Sequence, residues 1–255
     1  MKRYLYNYVT HLSFSHPVER HTVKLRCLPE IGHFQRLQSE HFVIDRSFEF
    51  DKEYLDVLGN RCLLGWVNAP HSSLAYVSTG VVEQERYQIK EAVVQPYYRM
   101  QSAMTHPSAA MKQIRFVRSN DVIADAMAIS QYVFDIMTYR PGSTNTSTTA
   151  AEAFCSRAGV CQDYAHVMIS LCRLNGIACR YSCGMILGEG ETHAWVEVWI
   201  GDRWIAVDPC HNAIVYYGYI KLAHGRDAAD CQLSRGTFFG NVVQQTDVRV
   251  DVWEV

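Results

Sequence analysis

Residues 193–208 read HAWVEVWIGDRWIAVD, and this stretch restricts the fold more than any other in the chain. Two runs alternate in character with period two, as strands do, and the Gly201-Asp202 pair between them suits a two-residue hairpin turn. Such a turn pairs Ile200 with Arg203, and counting outwards places Trp195 opposite Asp208. On the first strand His193, Trp195, Glu197 and Trp199 share one face, and Ala194, Val196, Val198 and Ile200 share the other. Asp208 therefore lies on the face of His193, diagonally next to it and within side-chain reach. An imidazole and a carboxylate meet there by spacing alone.

A thiol precedes them. Residues 156–177, SRAGVCQDYAHVMISLCRLNGI, read as a helix with Ala165, Met168, Ile169 and Cys172 on one face and Gly176 as its stop. Cys161 then falls in or beside the first turn, where free N–H groups and the macrodipole favour a thiolate. Gly159 permits close backbone approach just before it, and the Cys161 N–H is a candidate oxyanion donor. His166, five positions on, is turned about 140° away at ~100° per residue and is assigned a structural role. The remaining arrangement is a nucleophile, Cys161, a partner base and acid, His193, and an orienting carboxylate, Asp208. The helix is expected to pack against the sheet face that carries His193.

Blander readings stand beside this one. Most cysteines are inert buried thiols, a strand histidine is usually bonded to a neighbour, and Asp208 can cap the turn at Pro209. Glu197 is the alternative acid, on the far side of Trp195 from His193. Trp195, Trp199 and Trp204 read as core aromatics. Cys179 and Cys183 with Cys210 and His211 make a formal zinc set, but 179 and 183 sit on a strand and adjacent residues seldom converge on one ion. No metal and no cofactor are therefore expected.

The rest of the chain supplies the frame. Residues 1 to about 95 carry short alternating runs broken by turn residues: NYVTHLSFSHPVERHTVKLRCLP, HFVIDRSFEF and RCLLGWVNAPHSSLAYVSTGVVE read as strands of a sandwich. The histidines there (11, 16, 21, 33, 41 and 71) lack metal-ligand spacing and read as surface or strand residues. Asn120 or Asp121 caps a helix with apolar positions from Val122 to Met137, and Thr149 with Glu152 forms a capping-box pattern after the polar loop YRPGSTNTSTT. Strands follow at IACRYSCGMIL, VYYGYIKLAH and TDVRVDVWEV. The fold class is α+β, an antiparallel β-sandwich over residues 1–100 followed by a mixed domain over 101–255, with a soft boundary near 95 to 115.

A net charge of −2 and a pI near 6.6, with no basic run, argue against nucleic acid and anionic membrane as partners. The opening MKRYLYNYVTHLSF has no apolar leader core, so the nine cysteines read as reduced thiols in a cytoplasmic protein.

GVCQDYAH, THAWVEVW and WIAVDPCHN, in this order, resemble the Cys, His and Asp motifs of the transglutaminase-like superfamily. HGRDAADCQLSRGTFFG resembles the segment that follows them in bacterial members, and the first ninety or so residues resemble those members' N-terminal domain, with SHPV, LGN and APHSSL as weaker matches. The resemblance implies a papain-like fold, a triad of Cys161, His193 and Asp208, and a thioester acyl-enzyme; Asp163 and Tyr164 fall on non-catalytic motif positions that support the nucleophile helix. It implies a peptide or protein substrate whose amide bond is cleaved. Transfer of the acyl group to an amine, as in a transglutaminase, is the alternative, and a non-catalytic scaffold that keeps the fold is another. Calcium dependence, a property of animal cross-linkers, is not expected, since no DxDxDG-like loop or acidic cluster is present. Cys210 and His211, just beyond the acid, depart from the pattern, and the second oxyanion donor has no motif.

Overall fold

The computed structural model describes residues 1–45 and 48–255; Arg46 and Ser47, inside the HFVIDRSFEF strand reading, lie outside the described residues. The main strands are β1 (Lys2–Leu25), β2 (Gln35–Ile44), β3 (Arg61–Val67), β4 (His71–Gln84), β5 (Cys179–Ile186), β6 (Gly188–Gly190), β7 (His193–Ile200), β8 (Arg203–Asp208), β9 (Tyr219–Gly225), β10 (Ser234–Phe239) and β11 (Gln244–Glu254). The helices are α1 (Val122–Ile136), α2 (Ala150–Ser156) and α3 (Cys161–Leu174).

β1 organises the first half. Up to Phe14 it pairs with β11 on one side and β4 on the other, and β2 extends the sheet beyond β4. Its register breaks between Ser13 and Val18, where Pro17 has no N–H to offer the ladder. Beyond Arg20, at φ 49°, it pairs with β3 and β10 instead. Tyr4, Tyr6, Tyr8, Leu12 and Phe14 before the break and Val23 and Leu25 after it bury into one apolar cluster, so the two halves face each other as a sandwich. The C-terminal β11 lies along β1, completing the sheet the N-terminus began.

The second sheet runs β8-β7-β5-β9, with Ala213–Ile214 and Ile89–Lys90 on β8. The β7–β8 register is the one that the Gly-Asp turn dictates: Ile200 faces Arg203 and Val196 faces Val207, with Gly201 at φ 65°. Each helix starts where its cap residue says. Asp121 accepts from the N–H groups of Ile123 and Ala124, at 2.9 and 3.3 Å, and Thr149 and Glu152 close a reciprocal capping box on α2. At the end of α3, Gly176 takes the positive φ of 73° that stops the helix.

The expectation about the helix-bearing face is corrected. α3 packs against Ala194, Val196 and Val198, not against the His193 face; these side chains share a buried cluster with Ala165, Met168, Ile169 and Cys172. The reason is chemical. α3 is buried along most of its length and needs an apolar wall, whereas the other face of β7 carries polar atoms that must be paired. There Glu197 is fully buried and is met by the Arg180 guanidinium, by Lys221 Nζ at 3.0 Å and by Tyr87 Oη at 2.5 Å. Trp195 packs with Phe34 and Tyr87, and Trp199 and Trp204 pack with Tyr98, so all three tryptophans are core residues.

β6 is the link between the sheets. The chain leaves β5, adds Gly188–Gly190 to the free edge of β11, and returns to the second sheet at His193.

Candidate active site

Cys161 is the first residue of α3. Val160 precedes it as N-cap, and its N–H donates to Asp163 Oδ2 at 2.7 Å, an orphan donor satisfied from within the first turn. Thr144 Oγ1 donates to the same oxygen at 2.6 Å. Gly159 is required by this packing, because a Cβ there would stand 2.5 Å from the Asp163 side chain. Asp163 is buried, and burial pushes its carboxyl above the usual value. Its motif position thus acts through the geometry of the nucleophile turn.

His193 opens β7 on the face opposite the helix, and Cys161, at the N-terminal end of α3, lines the same cleft. Nε2 donates to Asp208 Oδ2 at 2.7 Å, since a carboxylate only accepts. The other ring nitrogen stays available to the Cys161 thiol, which lines the same cleft. Burial alone would lower the pKa of His193. The bonds and charges of Asp208 and Cys161 outweigh it and hold the imidazolium up to about 10. Asp208 is fully buried; burial opposes its charge, but donors from His193, His211 and Tyr219 keep it well below the carboxylate range.

The structure adds partners that spacing did not reveal. His211 Nδ1 donates to Asp208 Oδ2 at 2.7 Å, Tyr219 Oη donates to it at 2.8 Å, and the Cys210 N–H donates to Oδ1 at 2.8 Å. Two imidazoles thus share one carboxylate oxygen, their ring centres 5.4 Å apart. Tyr219 comes from β9, two strands away across β5, and carries no local signal; its ring stands edge-on to Trp195 at 5.3 Å. Cys210 shares the site, but burial first, then the charges of Asp208 and Cys161, push its thiol up, so it stays protonated.

His166 has the structural part assigned to it: buried in α3, its Nε2 accepts the Ala228 N–H at 3.1 Å. Arg226 pairs with Asp230 at 2.8 Å, a salt bridge within its own loop. The zinc set of the sequence does not assemble. The Cys179 thiol faces Ile169 O at 3.7 Å and Cys183 faces Cys231 O at 3.6 Å. Among the described residues the group with metal-ligand proximity is His193, Asp208 and His211, with donor atoms within 4.8 Å of one another. His21 and His71, far apart in sequence, meet at 3.1 Å beneath Phe14, Phe48 and Phe238, so His21 is a core residue rather than a surface one.

A cleft of about 1380 Å³ opens over Cys161, His193 and His211. Tyr139 and Gly142 line it, as do Glu191 and Arg235. No helix among the described residues is long and apolar enough to cross a membrane.

Residues 110–209 match the transglutaminase-like superfamily, and residues 4–83 match the bacterial transglutaminase-like N-terminal region. An uncharacterized protein of Mycobacterium tuberculosis is 35% identical over 141 residues, 49% of this chain and 45% of the relative. The match therefore spans less than half of that relative's length. An uncharacterized protein of Mycobacterium leprae is 26% identical over 229 residues, 78% of this chain and 80% of its own. The crystal structure of a candidate cysteine protease from Cytophaga hutchinsonii, 22% identical, covers 100% of this chain and 91% of its own with a TM-score of 0.76, and so shares the fold. With both regions matched in order and the fold shared end to end, the chain belongs to the transglutaminase-like superfamily, its core preceded by the N-terminal region of the bacterial members.

Proposed function

We propose that the protein is a cysteine-dependent hydrolase that cleaves amide or peptide bonds through a thioester on Cys161. One observation carries the reading: Cys161, at the start of α3, shares a cleft with His193, whose Nε2 is bonded to the buried Asp208. Cys161 attacks the carbonyl carbon as thiolate, and the tetrahedral intermediate expels the amine as His193 gives it a proton. An imidazolium held at about 10 is charged at neutral pH and ready for that transfer. Neutral His193 then takes a proton from water, which attacks the thioester and releases the acid and the thiol. Asp208 keeps the ring's orientation and tautomer throughout. The cleft of about 1380 Å³ exceeds the range of about 300–1,000 Å³ usual for small ligands, which favours a peptide or protein substrate.

The test is site-resolved alkylation by iodoacetamide across pH, on wild type and His193→Ala. Cys161 is expected to react faster than the other eight cysteines at neutral pH, and the substitution to remove that advantage. Labelling of Cys161 in step with the rest at every pH would instead favour a scaffold that only keeps the fold. Product analysis with and without an added primary amine then separates hydrolysis from acyl transfer.

A further inference from the structure

Hydrolysis of a thioester needs a water held in place as well as a base to take its proton. His193 is poorly placed to do both, because its side chain is 9% exposed and its Nε2 is occupied by Asp208. His211 stands beside it with its side chain 55% exposed. The turn after β8 puts it there. Asp208 pairs with Ala213, so residues 209–212 form a tight turn, closed by Asn212 at φ 47° and by the Cys210 N–H on Asp208 Oδ1. Asn212 Nδ2 donates to Gln131 of α1, which ties the turn to the helix layer. His211 is thereby folded back over the carboxylate, with Nδ1 2.7 Å from Asp208 Oδ2 and 3.5 Å from Tyr219 Oη.

The bond does more for the ring than for the carboxylate. Each carboxylate oxygen has about two lone-pair sites, and Asp208 Oδ2 already accepts from His193 and Tyr219. A third donor is surplus to the acid, but it fixes the tautomer of His211. In the neutral ring the proton sits on Nδ1, where Asp208 accepts it, and Nε2 keeps its lone pair. Nε2 has no hydrogen-bond partner among the described residues. The ring lines the cleft with Cys161 and His193, its centre 5.4 Å from that of His193. Asp208 thus holds two imidazoles on one oxygen, one buried beside the thiol and one open to solvent.

We infer that His211 holds the attacking water, its Nε2 accepting a hydrogen bond from one hydrogen while His193 takes the other as a proton. The inference rests on the thioester chemistry proposed above. The O–H bond facing His193 breaks, the water oxygen bonds to the acyl carbon, and the C–S bond then breaks with its electron pair returning to the Cys161 sulfur. The hydrogen held by His211 stays on the hydroxyl of the product acid. A primary amine offers Nε2 the same N–H donor, so one residue serves either acceptor.

Timing the two halves of one turnover separates this role from support of Asp208. p-Nitrophenyl acetate acetylates the thiol without using water, and first-turnover release of p-nitrophenol times that half. Loss of acetyl mass from the isolated acetyl-enzyme times the attack by water. His211→Asn keeps an N–H donor near the position of Nδ1 and has nothing at the position of Nε2. It is expected to slow the loss of acetyl about tenfold, the scale of one hydrogen bond, with acetylation close to wild type. Equal slowing of both halves overturns the inference, because His211 would then serve Asp208 alone. Normal acetylation with decay at the wild-type rate also refutes the inference, and leaves the thioester reading intact. No acetyl on Cys161 in wild type or variant, or p-nitrophenol release that persists in Cys161→Ala, refutes the thioester reading and this inference with it.

Discussion

Asp208→Asn keeps the shape of the side chain and removes its charge from a fully buried position that receives four donors. His193 stands at about 10 against an ordinary 6.5. At about 1.4 kcal/mol per pH unit that difference amounts to about 5 kcal/mol, shared between Asp208 and Cys161. Loss of the carboxylate's share is expected to destabilise the protein by about 3 kcal/mol at pH 7, the low end for breaking a buried pair, because Asn can still accept one hydrogen bond. The sign over pH follows from the two shifts. The folded value of His193 is raised, so its contribution is full below about 6.5 and is lost as pH rises through about 10. The value for Asp208 is depressed, so its contribution is present above the ordinary carboxylate range and is lost on acidification. Urea unfolding of wild type and variant should therefore diverge most near neutrality and converge above about pH 10 and in strong acid. Cys161 alkylation at pH 7 should slow, because the ring loses the carboxylate that orients it. A stability difference that is constant with pH would refute the reasoning, because packing alone gives that result.

Gly159→Ala puts a Cβ 2.5 Å from the Asp163 side chain and should displace the cap of α3, seen as loss of Cys161 alkylation selectivity with the fold retained by circular dichroism. His166→Phe leaves the Ala228 N–H buried without an acceptor; a loss of about 1–3 kcal/mol in urea unfolding is expected, with Cys161 still the fastest-alkylated thiol. Glu197→Gln leaves Arg180 and Lys221 buried beside a neutral group and should cost about 3–5 kcal/mol at pH 7. Burial opposes the charge of Glu197, but Arg180 and Lys221 depress its folded value, so that difference should shrink in strong acid.

Much of the site was legible because it is local. Period-two alternation and a two-residue turn fix a register without tertiary information, and they bring His193 to Asp208 as observed at 2.7 Å. The capping residues Asp121, Thr149 and Glu152 were legible for the same reason. The side taken by α3 was not, because alternation names two faces and leaves open which receives the helix. The buried set of Glu197, Arg180, Lys221 and Tyr87 decides that, and its members lie on four separate segments. Tyr219 escaped for a similar reason. It owes its place to strand pairing, β9 on β5, that no spacing rule predicts. The alternation of Val248, Val250 and Val252 marked a half-buried strand, but not that its partner is the first strand of the chain.

The excursion of residues 188–190 onto β11 has a mechanical meaning. The helix that carries Cys161 is seated on the sheet whose strand β7 opens with His193, so thiol and imidazole ride on one body, while the chain three residues before the imidazole is tied to the other sheet. The sandwich thus anchors the segment that leads into His193. A fragment cut to begin after the sandwich would lose the tether of its own base, along with the partner of its last strand.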